Sequence, residues 1–233
     1  MKRALETSYQ ELSESVPATI GIAIAPAGES SVTSFGTWST GVAWSTIKVP
    51  LAIAALRAGS GSCELVAKTI TQSDNAAAEK LWSQLGNTAE AAQQVQAVIT
   101  DAGDRTTVVE SRRLRSGYTA FGQTQWSLVQ QAQFAARLPC IADASRIVDL
   151  MRNLTTDHRW GLAAEGFAAK GGWGPGIGGD YMVRQFAIVP TESGHVGVAV
   201  AADAHDGVFE TGVEVLNKLT NWLVSHLAEL TED

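Results

Sequence analysis

The sequence predicts an α/β (α+β) fold in which helices from both chain termini flank one five-stranded antiparallel sheet. Three observations carry this prediction. Apolar residues alternate with small or polar ones near both ends of the chain, the middle has helical periodicity, and the last segment is amphipathic. A sheet built from both chain ends, with an all-helical insertion between them, accounts for all three.

Length and composition limit the organisation and the partners. The 233 residues, 45% of them apolar, suffice for one large core or two closely packed lobes. We expect one domain over 1–233, with an α/β lobe from 1–44 and 166–233 and an all-helical lobe from 45–165. The net charge of −7 offers nucleic acid no basic surface. No apolar run approaches the length of a membrane-spanning helix.

The N-terminal part predicts a helix followed by a β-hairpin. Apolar residues three or four positions apart favour a helix over 2–15. Ile20, Ile22 and Ile24 alternate with small residues and predict a strand. A Pro- and Gly-containing turn then leads to a second strand, at about 31–38.

The middle of the chain predicts one helix after another. Capping residues and apolar periodicity indicate helices over 45–58, 63–72, 74–85, 87–103, 124–137 and 142–154. Residues 104–123 show no clear period. A loop of that length in a compact domain is usually functional or mobile.

The C-terminal part returns to strands, at 167–172, 181–189 and 195–202, before a leucine-striped helix that reaches Leu230. The Gly-rich stretch 174–179 matches Gly-x-Gly-x-x-Gly, but a strand follows it instead of a helix. We therefore interpret this stretch as a hairpin loop and not as a dinucleotide site.

Three short motifs carry the predicted chemistry. Ser45 and Lys48 stand one helical turn apart, so a hydroxyl and an amine meet near a helix N-terminus. The second motif is Ser73-Asp74-Asn75, and the third is Lys170-Gly171-Gly172. Each motif alone also fits a bland structural interpretation as a helix cap, a turn or a strand end. The three in this order on these elements favour a catalytic site.

In this order, Ser45-Thr46-Ile47-Lys48, Ser73-Asp74-Asn75 and Lys170-Gly171-Gly172 resemble the three motifs of the class A β-lactamase and penicillin-binding-protein superfamily. The resemblance extends from Ile20 to Leu230, and implies the β-lactamase-like fold. The first two motifs lie 28 residues apart (73 − 45), a shorter gap than is usual in that family. Part of the helical lobe is therefore expected to be trimmed.

Ordinary chemistry and the resemblance assign the same roles. Ser45 would attack an acyl carbonyl, and Lys48 would accept its proton if burial near Lys170 kept the amine neutral. Ser73 would pass a proton to the leaving group, and Asn75 would hold the substrate's amide.

The oxyanion would be held by backbone N–H groups of Ser45 and, by the resemblance, Trp173. Gly172, which precedes Trp173 in the chain, is likewise expected to contact the substrate.

Two positions depart from the family's pattern. Glu110, 37 residues after Ser73 (110 − 73), has the spacing of the class A deacylation base, although its neighbours do not reproduce that loop. A surface ion pair with Arg112 or Arg113 is the alternative for Glu110. Gly171 stands where the family usually has Thr or Ser, so Arg184 would clamp a substrate carboxylate unless it is a strand-edge charge.

The function predicted from these residues is a serine hydrolase that forms an acyl-enzyme and releases it slowly. A peptidoglycan-type peptide, an ester or a β-lactam would be the substrate, and a glutaminase on the same fold is conceivable. The alternative is a catalytically silent binding module that holds a cell-envelope ligand. The resemblance implies an extracytoplasmic or envelope location, while the first residues lack the apolar core of a signal peptide and keep a cytoplasmic one open. We expect a monomer without a cofactor.

The remaining chemistry-bearing side chains point to no second site. Cys63 and Cys140 are too few for a disulfide framework, and we expect two buried thiols or a single disulfide between them. His158 has only Asp157 beside it and is interpreted as a surface or loop histidine. With four scattered histidines and no Cys/His cluster, we expect no metal site.

Overall fold

A computed structural model describes residues 2–29 and 31–231. Its helices and strands, in chain order, are α1 (Lys2–Glu14), β1 (Ala18–Pro26), β2 (Thr33–Gly36), β3 (Thr40–Val42), α2 (Lys48–Arg57), α3 (Cys63–Thr71), α4 (Asn75–Gln84), α5 (Thr88–Asp101), β4 (Gln125–Ser127), α6 (Leu128–Arg137), α7 (Ser145–Arg152), β5 (Ala168–Pro175), β6 (Tyr181–Thr191), β7 (Gly194–Ala204), α8 (Phe209–Ser225) and α9 (Leu227–Thr231). A short 3-10 helix, Trp44–Ile47, runs directly into α2.

The predicted antiparallel sheet is confirmed. Its strand order is β2-β1-β7-β6-β5, and every neighbouring pair is antiparallel. The first and last parts of the chain meet where Ile22 of β1 pairs with Val200 of β7. Strand β5 lies at the edge, so its outer side is available to the helical part of the molecule.

Helices cover the sheet. Helix α8 packs on β6 and β7, and α1 packs on β1 and β2, where Tyr9, Phe35 and Trp222 form an aromatic cluster with ring centroids 5.1–5.4 Å apart. Helix α6 packs on β1 and β7. This packing is very close, because a Cβ on Gly197 would lie 2.0 Å from the Ala132 carbonyl oxygen. Only glycine permits that approach.

The helical part is organised around α2. Residues 48–55 of α2 are all buried, as expected for a helix that other helices enclose. The predicted caps are present: Asp74 Oδ1 accepts from Ala77 N at 2.8 Å, and Asn87 forms a capping box with Glu90. Because α6 contacts the sheet, our division into lobes at residues 45 and 165 stays a proposal.

Three local features differ from the sequence prediction. Residues 125–127 form strand β4, which pairs with β3, and α6 begins only after the Ser127 cap. The C-terminal helix is interrupted at His226, between α8 and α9. A strand of three residues is too short to show an alternation of apolar and polar side chains. The sequence therefore did not predict the ribbon formed by β3 and β4.

The expectation for the cysteines is wrong. Cys63 and Cys140 are free, exposed thiols, neither buried nor joined in a disulfide. Cys63 begins α3, where its Sγ accepts from Arg146 Nη1 at 2.9 Å. Cys63 lies in α3 and Cys140 in a short 3-10 helix. In both elements other residues, and not the cysteine, belong to the hydrophobic core.

Within the described ranges, every helix is too short or too polar to cross a membrane.

Candidate active site

Ser45 stands at the entrance to the buried helix α2. It lies in the first turn of the 3-10 helix and remains partly exposed while Trp44, Thr46 and Ile47 are buried. Trp44 adopts φ 49°, a conformation that bulky residues rarely take. Such backbone strain is concentrated at functional sites, and here it presents Ser45 to a cleft.

Lys48 reaches from α2 to the turn that precedes α4. Its Nζ donates to the Ser73 carbonyl, to Asn75 Oδ1 at 2.7 Å and, more weakly, to Ser73 Oγ at 3.4 Å. Because Asn75 Oδ1 accepts from this amine, the Asn75 NH₂ group is left to donate to a ligand. Lys48 therefore joins the first motif to the second through hydrogen bonds.

Lys170 brings the third motif to the same hydroxyl. Its Nζ donates to Ser73 Oγ at 2.9 Å and to the Gly171 carbonyl at 2.9 Å. Ser73 has φ 53°, a second strained residue in the site. The Ser73 hydroxyl thus lies between two lysines that come from a helix and from the edge strand.

The environment lowers the pKa of both lysines. Burial lowers the pKa of Lys48 to about 7, against an opposing effect of the Asp74 carboxylate. Burial also lowers the pKa of Lys170 well below its usual value, and the positive charge of Lys48 adds to the effect. An amine that is neutral near pH 7 can accept a proton from a hydroxyl.

Strand β5 passes directly against the Ser45 turn. A Cβ on Gly172 would lie 2.8 Å from the backbone N of Ser45 and 2.8 Å from the Ala43 carbonyl oxygen. Glycine is therefore required for this approach, which brings the backbone of β5 next to the Ser45 N–H. Trp173, the next residue, lines the cleft together with Ser45.

The cleft has a volume of about 280 Å³. Four residues of the first two motifs line it: Ser45, Lys48, Ser73 and Asn75. Its walls also include residues that sequence reasoning missed, namely Trp44, Gly117, Tyr118, Thr119, Gly122, Gly174, Pro175 and Tyr181. The only signal for the 117–122 group was the length of the loop that contains it.

Solved structures with the same architecture are numerous. A TLA-3 extended-spectrum β-lactamase aligns with 14% identity and a TM-score of 0.76, covering 97% of this chain and 98% of its own. A β-lactamase from Chitinophaga pinensis has 18% identity and a TM-score of 0.76, with 96% and 99% covered. A structure described as PBP-A has 18% identity and a TM-score of 0.71, with 97% and 96% covered.

The chain has a β-lactamase-like fold. Neither a protein-family model nor the sequence of a curated protein matches it. At identities of this order the likeness establishes the architecture alone, because the chemistry of a site depends on the residues that form it.

In this β-lactamase-like fold, Glu110 is engaged with its own loop. Its Oε1 accepts from the backbone N of Arg112 at 2.7 Å and from Arg112 Nε at 3.2 Å. The hydrogen bond from the Arg112 backbone is the main reason that the pKa of Glu110 is lowered. Among the described residues, Glu110 is not one of those that line the cleft. Its contacts agree with the alternative interpretation, an ion pair with Arg112.

Arg184 does not fulfil the predicted role of a carboxylate clamp. It is fully buried, and its guanidinium donates to the carbonyls of Gly41, Val42 and Trp126 and to Gln131 Oε1. Burial lowers its pKa to about 9. Arg184 therefore fastens the β3–β4 ribbon to the main sheet, and its side chain is committed to that contact.

Gly171 has a structural reason of its own. A Cβ at this position would lie 2.7 Å from the ring of Trp160, which is buried. The indole thus occupies the space into which a Thr or Ser side chain would project. Glycine at this position is therefore explained by the packing of Trp160 against strand β5.

His158 is nearer to the site than the sequence suggested. It is partly buried, and its ring centroid lies 5.3 Å from that of Trp173. Burial and then the charge of Lys170 lower its pKa. It packs behind a cleft-lining residue and does not line the cleft within the described part of the chain.

Proposed function

We propose that the protein is a serine acyl hydrolase or acyl transferase in which Ser45 forms a covalent acyl-enzyme. The observation that carries the proposal is the pair of buried lysines of lowered pKa that contact the Ser73 hydroxyl. Of these groups, Ser73 and Lys48 line the same cleft as Ser45. Burying two amines is costly, so a structure retains such an arrangement where the neutral amine is useful.

The proposed acylation assigns a role to each of these groups. Lys48 Nζ accepts the proton of Ser45 Oγ as the oxygen attacks the acyl carbonyl. Backbone N–H groups of Ser45 and Trp173 hold the oxyanion, as the close approach of β5 supports. Ser73 Oγ gives a proton to the departing atom as the acyl bond breaks, and the lysines that contact it replace that proton.

The proposed substrate is an amide, an ester or a β-lactam, with a peptidoglycan-type peptide as the natural candidate. Since Asn75 Oδ1 accepts from Lys48, and the described residues offer the Asn75 NH₂ group no acceptor, that NH₂ group can bind a carbonyl of the substrate. Under this proposal the protein works as a monomer in the cell envelope or outside the cytoplasm. The alternative, a cell-envelope binding module, would use the same cleft without a proton transfer at Lys48.

Intact-mass measurement tests the proposal. The protein is incubated separately with a penicillin and with a fluorophosphonate, and peptide mapping locates any adduct. We expect one adduct per chain with the fluorophosphonate, on Ser45. A chain that stays unmodified by both reagents, and that hydrolyses neither esters nor β-lactams, would overturn the proposed function in favour of the binding module.

The pKa of Lys48 predicts the pH dependence of acylation. Below about pH 7 the amine is protonated and cannot accept a proton, whereas above it the amine is neutral. We expect the fluorophosphonate labelling rate to rise from pH 5 to pH 9, with a midpoint near 7. A rate that is flat or falls over this range would contradict Lys48 as the base.

The position of Glu110 predicts slow deacylation. Because Arg112 holds its carboxylate outside the cleft, no acidic base is placed to activate a water within the described site. We expect a burst of product followed by slow turnover. Glu110→Gln should change the slow rate by less than roughly tenfold, about 1.4 kcal/mol in barrier.

Stopped-flow hydrolysis of a chromogenic β-lactam or ester measures both phases. Glu79→Gln, on α4, serves as the matched control, since Glu79 also pairs with an arginine of this loop. Fast steady turnover that collapses only in Glu110→Gln would show that Glu110 is the deacylation base after all.

A further inference from the structure

A second cavity lies beside the cleft. Its volume is about 380 Å³, and six apolar residues line much of it: Val42, Trp44, Leu114, Pro175, Ile177 and Met182. Two of them are unusually exposed for large apolar side chains, Leu114 at 56% and Ile177 at 97%. Trp44 and Pro175 line the cleft as well, so the two spaces are neighbours across these residues.

Arg115 stands at that shared wall. Its Nη1 donates to the Pro175 carbonyl at 2.8 Å, which joins the long loop to the end of β5. Its guanidinium carbon lies 4.6 Å from the ring centroid of Tyr118 and 5.6 Å from that of Trp44. One side chain therefore holds together the three residues that bound this end of the cleft.

The proposed acylation places the acyl part of the substrate at this end of the cleft. Lys48, Ser73 and Lys170 gather on one side of the site, where a proton must reach the leaving group. The leaving group must occupy that side. We place the acyl group away from these lysines, against the cleft-lining residues Trp44, Pro175 and Tyr118.

We propose that Arg115 determines the length of the acyl group, because it holds Trp44 and Pro175, the residues that line both spaces, in place between the cleft and the neighbouring apolar cavity. This inference rests on the proposed function. With Arg115 in place the cleft takes short acyl groups. Removing its side chain releases the contacts that hold Trp44 and Pro175, so that this wall can open and the second cavity can receive an aliphatic acyl chain.

A series of p-nitrophenyl esters from acetate to octanoate tests this assignment. In each, Ser45 Oγ attacks the ester carbonyl, the carbon–oxygen bond to nitrophenolate breaks, and water later releases the carboxylic acid. We expect the wild type to acylate fastest with short esters. Arg115→Ala should raise the octanoate-to-acetate ratio of acylation rates by at least roughly tenfold, since contacts of a few methylenes are worth that much.

Arg113→Ala is the matched control. Arg113 belongs to the same loop, but it is 57% exposed and pairs with Glu79 on α4. It should keep the wild-type ratio. Arg115→Gln keeps a shorter polar side chain and should give the same ratio as Arg115→Ala. Agreement between the two variants would show that the change does not come from a folding defect in one of them.

A binding measurement separates this proposal from the proposed function. Titration calorimetry with octanoate should show affinity at least roughly tenfold higher in Arg115→Ala than in wild type or Arg113→Ala. Equal octanoate affinities, unchanged ester ratios, or a wild type that already prefers octanoate would overturn the role of Arg115. Tighter octanoate binding without a Ser45-dependent burst for any ester would instead overturn the acyl-enzyme function and leave the role of Arg115 standing.

Discussion

Replacing Ser45 by alanine is expected to abolish covalent labelling by both a fluorophosphonate and a β-lactam. The hydroxyl is the only group in the proposed mechanism that forms a bond to the acyl carbon, so no slower route to the same adduct remains. The loss should exceed the range of the assay, roughly three orders of magnitude or more in labelling rate. Intact mass and peptide mapping measure it.

The fold should survive this change. Ser45 is partly exposed and lies in a turn whose neighbours carry the packing, so the melting temperature should stay close to that of wild type. Ser225→Ala, which removes an exposed hydroxyl on α8, should label like wild type. An adduct that persists in Ser45→Ala would place the nucleophile elsewhere.

Replacing Lys48 by methionine is expected to slow acylation by about two to four orders of magnitude, the usual contribution of a general base. That corresponds to roughly 3–5 kcal/mol in barrier at about 1.4 kcal/mol per tenfold. Methionine fills a similar volume without the amine, so the carbonyl of Ser73 and Asn75 Oδ1 lose a donor. The fluorophosphonate labelling rate at pH 8 measures the effect.

Two readouts distinguish a lost base from a damaged fold. Lys80→Met removes an exposed amine from α4 and should label at the wild-type rate. The residual labelling of Lys48→Met should also lose the rise with pH that wild type shows near 7. Labelling within tenfold of wild type, with the pH profile unchanged, would exclude Lys48 as the base.

The proposed slow deacylation follows from one contact that the sequence left open. The spacing of Glu110 from Ser73 suited a deacylation base, and its neighbours suited a surface ion pair. The two interpretations differ only in where a carboxylate points. In the structure the Glu110 carboxylate accepts hydrogen bonds from the backbone and the side chain of Arg112. This contact is local and keeps the carboxylate within its own loop.

The packing of Trp160 against Gly171 explains why glycine stands at this position of β5. The sequence indicated a missing hydroxyl, and Arg184 was the nearest cation to replace it. In the folded chain the indole of Trp160 occupies the space into which a side chain at position 171 would project. Arg184 lies opposite Gly172 in the β5–β6 register, and its guanidinium is bound to the carbonyls of the β3–β4 ribbon.

The sequence by itself determined the sheet, most helices, their caps and the chemical groups of the site. These features depend on local rules, since alternation makes a strand, three- and four-residue spacing makes a helix, and Ser45 and Lys48 share a helix face through their separation alone. The Asp74 and Asn87 caps are local for the same reason, because each bonds to residues within three positions.

Only the tertiary structure decided which side chains are committed to the interior and which line the cleft. The burial of Arg184, the contact of α6 with the sheet and the bridge from Arg115 to Pro175 all join residues far apart in the chain. No periodicity encodes such contacts, because they depend on which surfaces remain after the local elements have packed. The lowered pKa of Lys48 is decided in the same way, since its main cause is the burial of the amine in the folded chain.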